Sequence, residues 1–146
     1  MTKYNKGKFK PKNPKKYKGN PTEIYWRSSW ELKLMLYLDE HKDVISWGSE
    51  EIIIPYRSPL DNRIHRYFVD FQIQIKDKSG SIKTYLVEIK PAKQTVPPVF
   101  PGKQTKRYLE ESFNFIKNQS KWDAAKQYAK DRNWQFIIIT EHELGL

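Results

Sequence analysis

Asp70, Glu88 and Lys90 are the residues of this 146-residue chain whose types and spacing best suit chemistry. They fall in one stretch, His65 to Pro91, which reads H-R-Y-F-V-D-F-Q-I-Q-I-K-D-K-S-G-S-I-K-T-Y-L-V-E-I-K-P. Two carboxylates brought face to face repel unless a cation sits between them, and oxygen donors of this kind suit a hard divalent ion. The question is which elements would bring them together.

The stretch predicts two strands, Ile64–Ile75 and Ile82–Lys90, both rich in β-branched and aromatic residues and joined by a polar turn containing Gly80. Alternation places Tyr67, Val69, Phe71, Ile73 and Ile75 on one face, extended by Tyr85, Val87 and Ile89. Phe68, Asp70, Gln72 and Gln74 share the other face with Leu86, Glu88 and Lys90. A three-residue hairpin loop wants Gly at its last, left-handed position. Lys78-Ser79-Gly80 fits, so Asp77 pairs with Ser81, and counting inward sets Asp70 opposite Glu88. Directly opposed Cβ atoms lie roughly 4.5–5.5 Å apart. The bland alternative, two solvated acids on an open sheet face, fits poorly with Phe68 and Leu86 beside them. His65 falls on the face opposite Asp70 and is expected to be structural or solvent-facing, whereas Arg66 shares the Asp70 face and is placed to balance charge or touch phosphate.

Upstream, Ser28-Ser29-Trp30-Glu31 opens a helix that runs to Glu40 or His41, with Trp30, Leu34, Tyr37 and Leu38 at helical spacing. It is apolar nearly all round and is expected to be mostly buried. Glu31 shares a side with Leu34, Met35 and Leu38, so its carboxylate needs a partner. Ser28 as N-cap with Glu31 three residues on forms a capping box, which would account for it without chemistry.

V-D-F at Val69–Phe71 and E-I-K at Glu88–Lys90 resemble the active site of PD-(D/E)XK nucleases, the restriction-endonuclease-like superfamily; the first-motif Pro is Val69 here. The longer pattern resembles TnsA-type transposon endonucleases and, more closely, the head completion nucleases of large tailed bacteriophages. It comprises Y-W-R-S-S-W-E-L-K-L-M-L-Y-L-D, then W-G-S-E-E-I-I-I-P-Y and R-I-H-R-Y-F-V-D-F. The resemblance spans Tyr25 to Thr140 and carries Glu31, Asp70, Glu88 and Lys90 onto catalytic positions. It implies Mg²⁺, with Mn²⁺ as a substitute, held by Asp70, Glu88, the Ile89 carbonyl and Glu31. It also implies double-stranded DNA as substrate, with capsid or portal and neck proteins as partners. Two other readings fit the same residues: an endonuclease subunit of a transposition or junction-processing complex, and a non-enzymatic basic nucleic-acid-binding protein.

The composition agrees with an anionic partner. Formal net charge is +10, with 38% hydrophobic and 14% aromatic residues, so the chain has both a core and a basic surface. It has no cysteine, which excludes a disulfide framework and thiolate metal sites. No apolar run reaches membrane-span length and no signal peptide is seen, so a soluble protein of the host-cell cytoplasm, with association to the virion, is expected.

Residues 1–20 hold eight lysines and no acid and read as a disordered basic arm ahead of a nuclease domain at 21–146. Lys8, Lys10, Lys12, Lys15 and Lys16 would contact phosphate, with Tyr4, Phe9 and Tyr17 available to stack on bases. Arg27 joins the phosphate-contacting set. Val44–Tyr56 reads as a loop and then a short strand, Glu51–Ile54, stopped by Pro55 and buried on both faces. The four-proline stretch Pro91–Gly102 reads as a lip of the DNA groove, with Lys93, Gln94 and Lys103 near the backbone. Two helices follow, Lys103–Lys117 and, capped by Ser120, Lys121–Asp131, and then an apolar strand Trp134–Thr140 pairing in parallel with the core. Helix, three antiparallel strands, helices and strand is the order of the restriction-endonuclease-like core. The predicted fold is therefore a single α/β domain with a mixed central sheet.

Overall fold

The computed structural model describes residues 6–146. Gly7–Lys8 (β1) pairs antiparallel with Tyr25–Trp26 (β2), with a 3₁₀ turn at Pro14–Lys16 between them. Helix α1 spans Ser29–Glu40, followed by strands β3 (Val44–Ser49), β4 (Ile53–Arg57), β5 (Ile64–Phe68), β6 (Phe71–Lys76) and β7 (Ile82–Ile89). A 3₁₀ turn at Ala92–Thr95, helix α2 (Lys106–Asp131), strand β8 (Gln135–Ile139) and a short helix α3 (Glu141–Leu144) complete the chain. The main sheet has the order β3-β6-β7-β8, antiparallel except for the parallel β7–β8 pair, and β4–β5 form a separate hairpin. The predicted mixed-sheet α/β architecture is thus present.

Each face of the sheet has its own core. Phe71, Ile73, Val87 and Ile89 meet Leu34, Met35 and Leu38 of α1 on one side. Leu86, Tyr67 and Val69 meet Trp122, Ala125 and Ala129 of α2 on the other. Fully burying a Leu, Ile or Phe side chain is worth about 1.5–3 kcal/mol, so these two layers fix the sheet between the helices.

Several local expectations need correction. The long strand predicted from Ile64 to Ile75 is two strands, because Val69 and Asp70 leave the ladder where the chain crosses from the β4–β5 hairpin into the main sheet. The crossing is pinned on both sides: Val69 N–H donates to Ile52 O at 3.0 Å and Glu50 N–H to Asp70 O at 3.1 Å. Tyr67 and Val69 consequently lie in the α2 layer and not, as alternation predicted, with Phe71. The presumed loop at Val44 is β3, and Pro55 sits inside β4 opposite Arg66 in a two-stranded hairpin, where its missing N–H can face away from the partner. Ile53 is exposed and Ile54 buried, so the three isoleucines alternate. The two predicted helices are one, α2; Ser120 is no cap but back-bonds to Ile116 O from mid-helix. Phe113 and Ile116 are exposed on α2, as are Leu36 and Tyr37 on α1.

The largest difference lies at the N-terminus. Residues 1–5, including Tyr4, lie outside the described residues, but residues 6–20 are not a disordered arm. Phe9, 5% exposed, and Tyr17 are in the α1 core, so neither is free to stack on a base. The buried Asp39 carboxylate, 2% exposed, accepts the backbone N–H groups of Lys12 and Asn13 at 2.8 and 3.0 Å. Lys16 Nζ donates to the Asp39 and His41 carbonyls at the end of α1, which takes that ammonium out of the phosphate-contacting set. Lysine-dense composition concealed an apolar pair whose neighbours carry their charges outward. The folded domain starts by residue 6, not 21.

Candidate active site

The β6–β7 hairpin has the predicted register. Asp77 N–H donates to Ser81 O at 2.9 Å, Gly80 takes the left-handed conformation with φ 87°, and pairs run from Lys76–Ile82 to Phe71–Val87. Continued one step past the last ladder pair, that register sets Asp70 against Glu88, and the Asp70 Oδ2 accepts the Ile89 N–H at 2.8 Å. Glu88 is 6% exposed. Its Oε2 accepts from the Tyr67 hydroxyl at 2.5 Å, and Lys90 Nζ lies 3.7 Å from its Oε1. The solvated-acid alternative is excluded by this burial.

Electrostatics show the site holds more negative charge than its surroundings comfortably support. Burial, then the Glu88 charge, pushes Asp70 well above the usual carboxylate range, against the Ile89 N–H and Lys90. Burial also raises Glu88, opposed by the Tyr67 hydroxyl, Lys90 and Lys121. Glu31 on α1 is raised by burial, against the Arg27 N–H and charge, and further by the charges of Glu50 and Glu88. Tyr67, trapped by burial against Glu88, stays a neutral donor.

The capping reading of Glu31 holds in half. Ser28, 2% exposed, accepts the Glu31 N–H at 3.2 Å, but Glu31 Oε1 accepts from Arg27 N–H at 2.9 Å and not from Ser28. Only one oxygen of Glu31 is occupied by that bond. Arg27, expected to contact phosphate, is ion-paired with Glu50, a non-glycine residue in the left-handed region at φ 54°. Glu50 thereby stands beside Asp70, through its own N–H, and beside Glu31.

These groups match the chemistry of a divalent cation: oxygen donors, ionised at a cost that a cation would remove. Among the described residues no three acids or imidazoles stand close enough together to form a ready-made cluster. Asp70 and Glu88 are the natural pair, with Glu31 on the neighbouring wall.

Sequence alternation missed two residues here. Tyr67 reaches Glu88 only because the chain crosses layers at Val69–Asp70. Lys121 comes from α2, its Nζ 5.5 Å from the Tyr67 ring centroid, in the field of both Glu88 and Asp70. No local motif marks it. Of the predicted DNA contacts, Lys93 and Gln94 line a cavity of about 400 Å³ between the proline-rich lip and α2, with Arg107 and Asn118 on its far wall. Lys103, Lys10 and Lys15 are exposed, Arg66 lies over the Phe68 ring, Lys8 faces Tyr25, and Lys12 pairs with Glu40 at 3.4 Å. His65 is exposed and paired with Asp61, outside the site as predicted.

A mixed sheet between two helical layers, an acid where the chain enters the sheet, and E-x-K on the adjoining strand define an endonuclease of the restriction-endonuclease-like class. The chain belongs to the TnsA-like endonuclease N-terminal family, which matches residues 41–141 and so includes Asp70, Glu88 and Lys90. It is 42% identical over 142 residues to the head completion nuclease of Enterobacteria phage T4, covering 94% of this chain and 92% of that protein.

Proposed function

We propose that this endonuclease hydrolyses phosphodiester bonds of double-stranded DNA with a divalent ion, Mg²⁺ or in its place Mn²⁺, at Asp70 and Glu88. It would act on packaged DNA ends while a phage head is completed, in the host-cell cytoplasm and in contact with capsid, portal or neck proteins. The observation that carries the catalytic part is the facing of two desolvated carboxylates, Asp70 and Glu88, with Lys90 beside them. The likeness to a head completion nuclease along nearly the whole chain supports the biological setting.

Asp70, Glu88 and the Ile89 carbonyl would hold the ion, with Glu31 positioning its water from α1; the ion when bound supplies Lewis-acid charge at a phosphoryl oxygen and makes water more acidic. Lys90 presents an ammonium beside Glu88 and would orient the attacking water or offset charge gathering on the phosphoryl oxygens. The Tyr67 hydroxyl fixes the Glu88 carboxylate in one rotamer. Arg27, Arg66, Lys93, Gln94 and Lys103, with Lys8, Lys10, Lys12 and Lys15, would position the duplex through phosphates.

Incubating wild-type protein with supercoiled plasmid, with Mg²⁺ and with EDTA, tests the reading. Nicking or linearisation that needs the ion is expected. Tight DNA binding with no cleavage under any divalent ion would leave the non-enzymatic DNA-binding alternative. Recovery of the protein with filled heads, and loss of infectious heads in its absence, tests the biological role.

A further inference from the structure

Lys121 is half-buried and, among the described residues, makes no ion pair and no hydrogen bond, unlike Lys90, which lies 3.7 Å from Glu88, and Lys16, which caps α1. Its ammonium is held over the face of Tyr67, 5.5 Å from the ring centroid, and the hydroxyl of that ring is bonded to Glu88. Lys117, one turn earlier on α2, is also half-buried and unpaired among the described residues, and the two ammoniums repel. Glu88 and Asp70 lie in the field of Lys121 but neither pairs with it directly, so its half-buried ammonium still carries a desolvation cost. An anionic ligand would relieve it. Asn118 and Asn114 of the same helix line the cavity that Lys93 and Gln94 of the lip also line.

We propose that Lys121 contacts a backbone phosphate of the DNA at the active site, so that α2 and the β6–β7 hairpin grip the cleaved strand from opposite sides. Lys117, one turn away on α2, takes a neighbouring phosphate. The proposal rests on the nuclease reading for its setting, but the contact itself is a binding event and can be measured without cleavage. The aromatic face beneath the ammonium holds it in place without neutralising it, as a cation–π contact does. Such a placement leaves all three of its donors for an anion.

The test uses the full chain with Lys121→Met, Lys121→Arg and, as a charge control on the same helix, the exposed Lys126→Met. Binding of a short duplex in Ca²⁺ is titrated with salt. Lys121→Met should make the slope of log K against log salt shallower by about 0.9, the loss of one phosphate contact. Lys121→Arg should keep the slope, and Lys126→Met should match wild type. Single-turnover cleavage in Mg²⁺ at saturating DNA should fall about 10-fold or more for Lys121→Met, in the range of one lost transition-state contact. An unchanged slope for a folded Lys121→Met overturns the proposal. Slow cleavage with that unchanged slope and a shifted Mg²⁺ requirement also overturns it, and would make Lys121 a partner of Glu88. If wild type fails to cleave with any ion yet Lys121→Met flattens the slope, the nuclease reading falls and the phosphate contact stands.

Discussion

Tyr67 and Glu88 are joined by a 2.5 Å hydrogen bond across two different sheets, β5 of the small hairpin and β7 of the main one. The bond holds the more buried acid of the candidate site in a single orientation. Tyr67→Phe removes only the hydroxyl. Activity or metal affinity should fall about 10–100-fold, as for other groups that orient a metal ligand. Isothermal titration with Mn²⁺ beside single-turnover cleavage measures both; unchanged values would mean that the phenol serves packing alone.

Asp70→Asn, Glu88→Gln and Lys90→Ala should each nearly abolish plasmid cleavage in Mg²⁺ while leaving circular dichroism and DNA binding close to wild type. All three project from the same corner of the hairpin. Wild-type turnover by any one of them would remove it from the site.

Glu31→Gln separates chemistry from capping. The Ser28 hydroxyl accepts the backbone N–H of residue 31, and a glutamine oxygen can still accept from Arg27 N–H. Thermal stability should therefore change little, whereas Ser28→Ala should cost about 1 kcal/mol as a lost N-cap. Cleavage by Glu31→Gln should be lost; a fully active variant would leave Glu31 only its bond to Arg27.

The raised acids make a stability prediction with a definite sign. A carboxyl whose folded pKa lies above its unfolded value stabilises the fold below the unfolded pKa, and that contribution is lost as pH rises through the folded one. Asp70 is such a group, ordinarily at 3.8 and raised by burial and then by Glu88. Metal-free Asp70→Asn should thus melt above wild type at about pH 7.5, with the gap closing as pH falls toward about 4. Saturating Mg²⁺ should raise the wild-type Tm and scarcely move the variant; about 2.7 kcal/mol follows at 100 times Kd. Equal melting of both proteins across the pH range would deny the charge strain.

Removing residues 1–18 should destabilise the domain severely. The deletion takes away Phe9, Tyr17 and both donors to the buried Asp39. Phe9→Ala alone should cost about 3–5 kcal/mol. Urea unfolding of the three proteins decides this, and full stability of the 1–18 deletion would show that the segment is dispensable.

Local pattern was enough for the hairpin turn at Lys78–Gly80, its register, the facing of Asp70 and Glu88, the Ser28 cap and the parallel last strand, because each depends on neighbours within a turn or one strand pair. The composition alone also pointed to a basic, cysteine-free protein suited to an anionic partner. What it could not supply depends on contacts between distant segments. Tyr67 changes layer because Ile52 and Glu50 hold the backbone at Val69 and Asp70, so strict alternation across that junction misassigned it. Lys121 lies over the Tyr67 ring only because α2 is one unbroken helix packed on the second face through Trp122 and Ala125. The first twenty residues read as charge when averaged, yet two aromatic side chains bury there against Trp47, and Asp39 supplies the missing acceptor from the far end of α1. Burial of a few side chains, not mean composition, decides whether such a segment folds, and only the tertiary structure shows which surface receives them.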